Sequence, residues 1–109
     1  KLDIDYANLQ IDTAIPCGLI VNELITNALK YAFDKQVLGE VQVHFKVIEK
    51  KEYLLKVIDN GKGLPENFNL EHIKSLGLKL VYDLVKQLRG EINLIQKSGT
   101  QFSIRFKDI

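Results

Sequence analysis

The spacing of apolar residues switches along the chain between a helical repeat and a two-residue repeat. Helical spacing occupies 18–33 and returns in Leu80, Val81, Leu84, Val85 and Leu88. Alternation that is typical of half-buried strands occupies 1–10, 41–48, 53–59, 91–96 and 100–106. Helices and strand pairs in this order predict an α+β fold. We expect an α/β sandwich in which a mixed, mostly antiparallel sheet carries helices on one face.

Single residues indicate where the predicted elements begin and end. Pro16 is expected in the first turn of the first helix, where proline is tolerated, and the strand at 1–10 is expected at a sheet edge. Ser75 is expected to cap the second helix, and Gly90 is expected to end it. The glycine-rich stretch 60–74 is predicted to be a loop, and loops of this length inside compact domains are usually functional.

Composition places the chain among ordinary folded domains. Hydrophobic residues make up 46% and charged residues 27% of the 109 residues, so we expect one globular domain over 1–109. The net charge is +1 and the basic residues are scattered, which argues against nucleic acid or a membrane surface as a partner. The single cysteine, Cys17, fits a reducing compartment and predicts a cytoplasmic location. Because the chain starts at Lys1 and contains no Met, we expect it to be a fragment of a longer protein.

One face of the first predicted helix collects four polar side chains. At about 100° per residue, Glu23, Asn27, Lys30 and Tyr31 share a narrow face. The opposite arc holds the apolar residues Val21, Ile25, Ala28, Leu29 and Ala32. A merely solvated face remains the alternative for an isolated helix. Here, however, a carboxylate, a carboxamide, an ammonium group and a phenol ring offer an acceptor, a metal-capable oxygen, a phosphate donor and a stacking surface, which are parts of a nucleotide site.

Three further segments carry glycine next to polar groups. Gly61 and Gly63 permit close approach of the backbone to a ligand, and the preceding Asp59 carboxylate can accept a hydrogen bond from an exocyclic amine. Gly77 lies in the first turn of the second predicted helix, whose dipole favours phosphate. Thr100 follows a predicted hairpin turn and offers a hydroxyl. Each segment alone is also typical of an ordinary turn or of helix packing.

In this order and spacing the four elements resemble the nucleotide-binding domain of the GHKL ATPase superfamily, which has a Bergerat-type fold. They are most similar to the catalytic domain of sensor histidine kinases. ELITNALKYAF looks like the N box of that superfamily, DNGKGLP like its first Gly box, SLGLKL like its second, and GTQFSIRF like its closing motif. Three features depart from the usual pattern. Glu23 stands where many histidine kinases carry Asn, the lid at 65–74 is short, and the second Gly box retains only Gly77 and Leu78.

The resemblance implies ATP and Mg²⁺ as cofactors and a role for each matching residue. Asn27 would hold Mg²⁺ and Lys30 would contact the phosphates, while Tyr31 would lie against adenine. Asp59 would bind the adenine amine, with Thr100 near the base. The pocket would be shaped by Gly61, Gly63, Leu64, Gly77 and Leu78. The implied catalytic residues are Glu23, Asn27 and Lys30.

The resemblance also implies a function. The chain would be the ATP-binding catalytic domain of a two-component histidine kinase, donating the γ-phosphoryl group to a histidine on a separate dimerisation domain. A response regulator would then receive that group. The fragment alone is expected to be monomeric and its parent a homodimer. Two alternatives stay open: an anti-sigma-like serine kinase or switch protein, and a gyrase-type or mismatch-repair-type ATPase in which Glu23 activates water.

Overall fold

The computed structural model describes residues 1–5, 9–29, 39–61, 76–96 and 99–108. In chain order, the elements are β1 (Leu2–Ile4), α1 (Ile11–Asn27), β2 (Val41–Glu49), β3 (Glu52–Asp59), α2 (Leu76–Gln87), β4 (Glu91–Gln96) and β5 (Thr100–Lys107). The strands form one sheet in the order β1-β2-β3-β5-β4, in which β1 is parallel to β2 and the other neighbouring pairs are antiparallel. The predicted mixed, mostly antiparallel sheet is therefore confirmed.

Both helices pack on one face of the sheet, the face formed by alternate residues of β3 and β5. Ile20 of α1 and Ile104 of β5 are completely buried there. The same core includes Leu24, Leu55, Val57, Val81, Val85 and Phe102. Complete burial of an aliphatic side chain contributes about 1.5–3 kcal/mol to folding. Burial also raises the pKa of the Cys17 thiol to about 11, so this side chain packs as a small apolar group.

The first helix begins earlier than the sequence predicted. We expected it to begin near Gly18 with Pro16 in its first turn, but α1 begins at Ile11 and contains Pro16 in its interior. Gln10, at the N-cap position, makes no side-chain capping hydrogen bond. The cap comes instead from Asp108, which is remote in sequence, and such a cap leaves no local signal.

Asp108 caps α1 from the far end of the chain. One carboxylate oxygen accepts a hydrogen bond from the Gln10 backbone N–H at 3.1 Å. The other accepts one from the Thr13 hydroxyl at 2.6 Å. A carboxylate beside the first helical turn also interacts favourably with the helix dipole. Asp108 therefore joins the end of β5 to the beginning of α1.

Two residues, Arg89 and Gly90, terminate α2, whereas the sequence predicted that Gly90 alone would do so. Gly90 was expected to end the helix, but α2 ends at Gln87 and Arg89 takes the left-handed conformation, with φ 56°. The Gly90 N–H then donates to the Val85 carbonyl at 3.0 Å. A Cβ on Gly90 would lie only 2.7 Å from the Arg105 carbonyl oxygen. Glycine is thus required here for a close contact with β5, not for a positive φ.

The strand β1 lies at the sheet edge, as predicted, but it is not half-buried. Leu2 is 73% and Ile4 55% exposed. No β1 side chain belongs to the buried core of the described residues. The alternation of apolar and polar residues at the start of the chain therefore predicted the strand correctly, but it did not predict the exposure of its apolar side chains. In the part of the chain that the structure describes, no helix combines the length and the apolar character needed to cross a bilayer.

Replacing the Asp108 cap tests its contribution to stability. We expect Asp108→Ala to lower the free energy of unfolding by about 1–2 kcal/mol, because the Gln10 N–H and the Thr13 hydroxyl both lose their acceptor. Urea denaturation followed by circular dichroism measures this change. The matched control is Asp83→Ala on the exposed face of α2, which we expect to change stability by less than about 0.5 kcal/mol. Equal effects of the two variants would contradict the capping role.

Candidate functional site

Asp59 is a carboxylate buried at the end of β3. Only 8% of the residue is exposed. The Gly61 N–H donates to Asp59 Oδ1 at 2.9 Å. Burial raises the pKa of Asp59, and the nearby backbone N–H groups of Gly61 and Thr100 offset part of that rise. The side chain is thus a fixed, poorly solvated acceptor.

The beginning of β5 closes against this carboxylate. Thr100 is paired with Asp59 in the antiparallel register and is only 5% exposed. Gly99, immediately before it, has a φ of +133°. A Cβ on Gly99 would overlap the Asp59 carbonyl oxygen and lie 3.0 Å from the Asn60 Cα. The turn before β5 therefore packs directly on the backbone of the Asp59 turn.

Asn60 holds the same turn from the other side. Its side-chain Oδ1 accepts a hydrogen bond from the Glu40 N–H at 2.8 Å. Its own N–H donates to the Glu40 carbonyl at 3.2 Å. This pair of hydrogen bonds joins the end of β3 to the residue that precedes β2. The Asp59 turn is thus held by segments on both neighbouring strands.

The first helix runs along the sheet in the direction opposite to β5. Its first turn lies beside Asp108, which directly follows β5. The 17 residues of α1 span about 25 Å, close to the length of about 26 Å of the 8-residue β5. Its last turn, with Asn27, therefore lies toward the Thr100 end of the sheet.

The second helix points its N-terminus to the same end. After its last turn, Gly90 touches Arg105 and Phe106, near the end of β5. The 12 residues of α2 extend about 18 Å from that contact, so its first turn, with Gly77, lies toward the beginning of β5. The positive end of the helix dipole favours an anion there. The two helices and the Asp59 turn thus converge on one end of the domain.

The structure describes some of the predicted site residues but not all of them. Glu23 and Asn27 are half-buried and lie one turn apart on α1. Gly77 and the buried Leu78 lie in the first turn of α2, as predicted. Lys30, Tyr31, Gly63 and Leu64 lie outside the described residues. The ligand role of each residue stays a prediction.

The buried stripe of α1 is rotated from the predicted apolar arc. Ile20, Leu24 and Ala28 are buried, whereas Leu29, which we placed on the sheet-facing arc, is 65% exposed. The angular positions of the apolar residues around the helix did not by themselves show which of these residues contact the sheet. Asn27 adjoins the observed stripe, which explains why a polar residue at this position is half-buried.

Sequence reasoning missed two residues of this end, Asn60 and Gly99. The local sequence assigns Asn60 to an ordinary turn, and the motif resemblance selects only Thr100 from the segment that contains Gly99. Both act through contacts with residues far away in sequence, Glu40 and Asp59. The signals that the sequence offered were the Asp-Asn-Gly and Gly-Thr pairs at strand ends, which by themselves indicate only turns.

A metal ion at this end would have few protein ligands. Among the described residues, no group of three or more His, Cys, Asp or Glu side chains is placed to hold a metal. Mg²⁺ commonly keeps several waters and takes its remaining ligands from substrate phosphates and one or two side chains. The half-buried Asn27 carboxamide fits such a sparse donor set, and it stays the predicted ligand.

Comparison with known proteins identifies the fold and the family. The sequence matches the family described as "Histidine kinase-, DNA gyrase B-, and HSP90-like ATPase" over residues 13–108. It is 34% identical over 100 residues to blue-light-activated histidine kinase 2 of Erythrobacter litoralis. It is 33% identical over 105 residues to the sensor histidine kinase PdtaS of Mycobacterium tuberculosis.

A solved structure matches over almost the whole chain. The histidine kinase domain of the Erythrobacter litoralis EL346 blue-light activated histidine kinase superposes with a TM-score of 0.89 at 32% identity. The match covers 97% of this chain and 49% of that chain. The matches to the two relatives include 92% and 93% of this chain. They include only 29% and 21% of the relatives' own lengths. These matches confirm the resemblance inferred from the four motifs: the chain belongs to the family of histidine kinase-, DNA gyrase B- and HSP90-like ATPases.

Proposed function

We propose that the chain is the ATP-binding catalytic domain of a sensor histidine kinase. It binds Mg-ATP and donates the γ-phosphoryl group to a histidine on a separate dimerisation domain, from which a response regulator receives it. The observation that carries this proposal is the buried Asp59 carboxylate, which accepts a hydrogen bond from the Gly61 N–H at the end of the sheet toward which both helices point. The two kinase relatives support the reaction. The parent is proposed to be a homodimer that carries this domain on its cytoplasmic side, and the isolated domain is proposed to be monomeric.

Asp59 selects the base. Its carboxylate accepts a hydrogen bond from the exocyclic amine of adenine, while Tyr31 lies against the ring and Thr100 lies near its edge. Guanine presents a carbonyl at the corresponding position, so the buried carboxylate would face an acceptor and lose its partner. An unpaired buried polar group costs about 1–3 kcal/mol. The site therefore prefers ADP and ATP to the guanine nucleotides.

The helix ends bind the phosphates. Asn27 in the last turn of α1 and Gly77 in the first turn of α2 lie toward the same end of the sheet, and together with Lys30, the predicted phosphate ligand, they orient the triphosphate. Mg²⁺, when bound, neutralises charge on the transferring group, and the Asn27 carboxamide would hold it. Glu23, one turn before Asn27, acts as the general base toward the incoming nucleophile. Positioning and charge neutralisation are the main needs of phosphoryl transfer.

Lowering the pH through the Asp59 pKa, which burial raises, is expected to weaken binding of adenosine and ADP. The ionised carboxylate is the stronger acceptor. Affinity is therefore highest above this pKa and falls by up to about tenfold for each pH unit below it. Calorimetry across the Asp59 titration measures the effect, and adenosine separates it from titration of the phosphates.

Asp59→Asn is the matched control, since it keeps the size of the side chain and removes its charge. We expect it to bind adenosine weakly at every pH, without a step at the Asp59 pKa. If the wild-type affinity stays level while carboxyl NMR shows Asp59 titrating, Asp59 does not bind the base.

Phosphoryl transfer is expected only in trans. When the chain is mixed with the histidine-bearing helices of its parent protein, Mg²⁺ and radiolabelled ATP, label should appear on the helices in an acid-labile, base-stable form. Asn27→Ala should lose most of this transfer while retaining metal-free ADP binding. Label on a serine of a partner would indicate the switch-protein alternative. Rapid phosphate release by the chain alone would indicate the gyrase-type ATPase.

A further inference from the structure

Asn60 lies where the chain leaves the sheet after β3. Its N–H donates to the Glu40 carbonyl at 3.2 Å, which continues the antiparallel register that pairs Val41 with Asp59. In this register the Glu40 N–H would ordinarily return a hydrogen bond to the Asn60 backbone carbonyl. It donates instead to the side-chain Oδ1 of Asn60, at 2.8 Å. The Asn60 side chain thus replaces its own backbone carbonyl as the acceptor in this last pair.

This replacement affects the direction of the next N–H. The Asn60 carbonyl and the Gly61 N–H belong to one planar peptide group and point in opposite directions. A carbonyl aimed at β2 would turn the Gly61 N–H toward β5, within the plane of the sheet. The Asp59 side chain lies on the face that carries the helices, since it alternates along β3 in step with the buried Leu55 and Val57. The Gly61 N–H donates to Asp59 Oδ1 at 2.9 Å, so this peptide group has turned out of the ladder.

We propose that Asn60 is a positioning residue for Asp59. Its side chain takes the Glu40 N–H, and this frees the following peptide group to place the Gly61 N–H on the Asp59 carboxylate. That donor then holds the carboxylate in the orientation that meets the adenine amine. The proposal rests on the proposed function in taking Asp59 as the acceptor for the base. Asn60 itself needs no contact with the nucleotide.

Three variants separate positioning from a loss of stability. Asn60→Ala removes the side-chain acceptor, so the Glu40 N–H should pair with the backbone carbonyl at position 60 and draw the peptide group back into the ladder. Asn60→Asp keeps a side-chain oxygen for the Glu40 N–H. Asp108→Ala is the matched control, because it also removes a side-chain acceptor from a backbone N–H, that of Gln10, at the opposite end of the sheet.

The first readout is NMR scalar coupling across the hydrogen bonds of the nucleotide-free chain, because such a coupling identifies the carbon of the accepting group. In the wild type, the Glu40 amide nitrogen should couple to the Asn60 side-chain Cγ, and the Gly61 nitrogen should couple to the Asp59 Cγ. In Asn60→Ala, the Glu40 nitrogen should couple to the backbone carbonyl carbon at position 60, and the Gly61 coupling should disappear. Asn60→Asp and Asp108→Ala should retain both side-chain couplings.

The second readout is the ratio of ADP affinity to GDP affinity, measured by calorimetry. We expect Asn60→Ala to weaken ADP binding by about tenfold and to leave GDP binding within about twofold, since only the adenine amine uses the oriented carboxylate. Asn60→Asp should keep the wild-type ratio, because repulsion between the added charge and the diphosphate acts on both nucleotides alike. Asp108→Ala should lower the melting temperature and leave the ratio within about twofold of the wild type.

The proposal is overturned if the Gly61 nitrogen of Asn60→Ala still couples to the Asp59 Cγ, or if Asn60→Ala and Asp108→Ala change the affinity ratio equally. If Asn60→Ala does not fold cooperatively, the wild type decides, because coupling of the Glu40 nitrogen to the Asn60 backbone carbonyl carbon instead of the Cγ excludes the replacement. If the wild type binds no adenine nucleotide, the proposed function fails, while the couplings still test whether Asn60 orients the Asp59 carboxylate.

Discussion

A carboxylate buried at the end of a central strand is costly for a fold to keep. Burial raises the pKa of Asp59, so between its ordinary and its raised value the folded chain binds more protons than the unfolded chain. The ionised form therefore lowers stability at neutral pH. The N–H groups of Gly61 and Thr100 offset part of this cost. A ligand that donates a hydrogen bond to the carboxylate would offset more of this cost, which is why we propose that burial makes Asp59 selective for an amine.

The rest of the domain aligns other groups with that carboxylate. The Asp108 cap holds the beginning of α1 at the far end of β5, so the helix ends toward the Thr100 end of the sheet. The contact of Gly90 with Arg105 does the same for α2. Neither contact lies at the candidate site, yet each determines which helix end faces it. The contacts of Asp108 and Gly90 fix one end of each helix, and the helix lengths then determine where the other end lies relative to the candidate site.

Much of the architecture could be predicted from local patterns. The alternation in 41–48 and 53–59 predicted β2 and β3, and the motif order predicted a Bergerat-type domain, which the structural match confirms. What could not be predicted depends on contacts between distant residues. Asp108 lies 98 residues from Gln10, so the early start of α1 had no local signal. Gly99 also has no local signal, because the backbone of Asp59 is what requires a glycine there, and the two segments meet only when β3 pairs with β5.

We propose that the nucleotide binds at the end of the sheet where the Asp59 turn lies and toward which both helices point. The described residues also form a groove of about 1100 Å³ at the opposite end, with Ile11, Leu88 and Asp108 in its lining. A ¹H–¹⁵N NMR titration of the chain with ADP distinguishes the two ends. We expect the amides of Asn27, Gly61, Gly77 and Thr100 to shift with one shared dissociation constant, while those of Ile11, Leu88 and Asp108 stay in place. Saturable shifts confined to the Ile11, Leu88 and Asp108 end would contradict it.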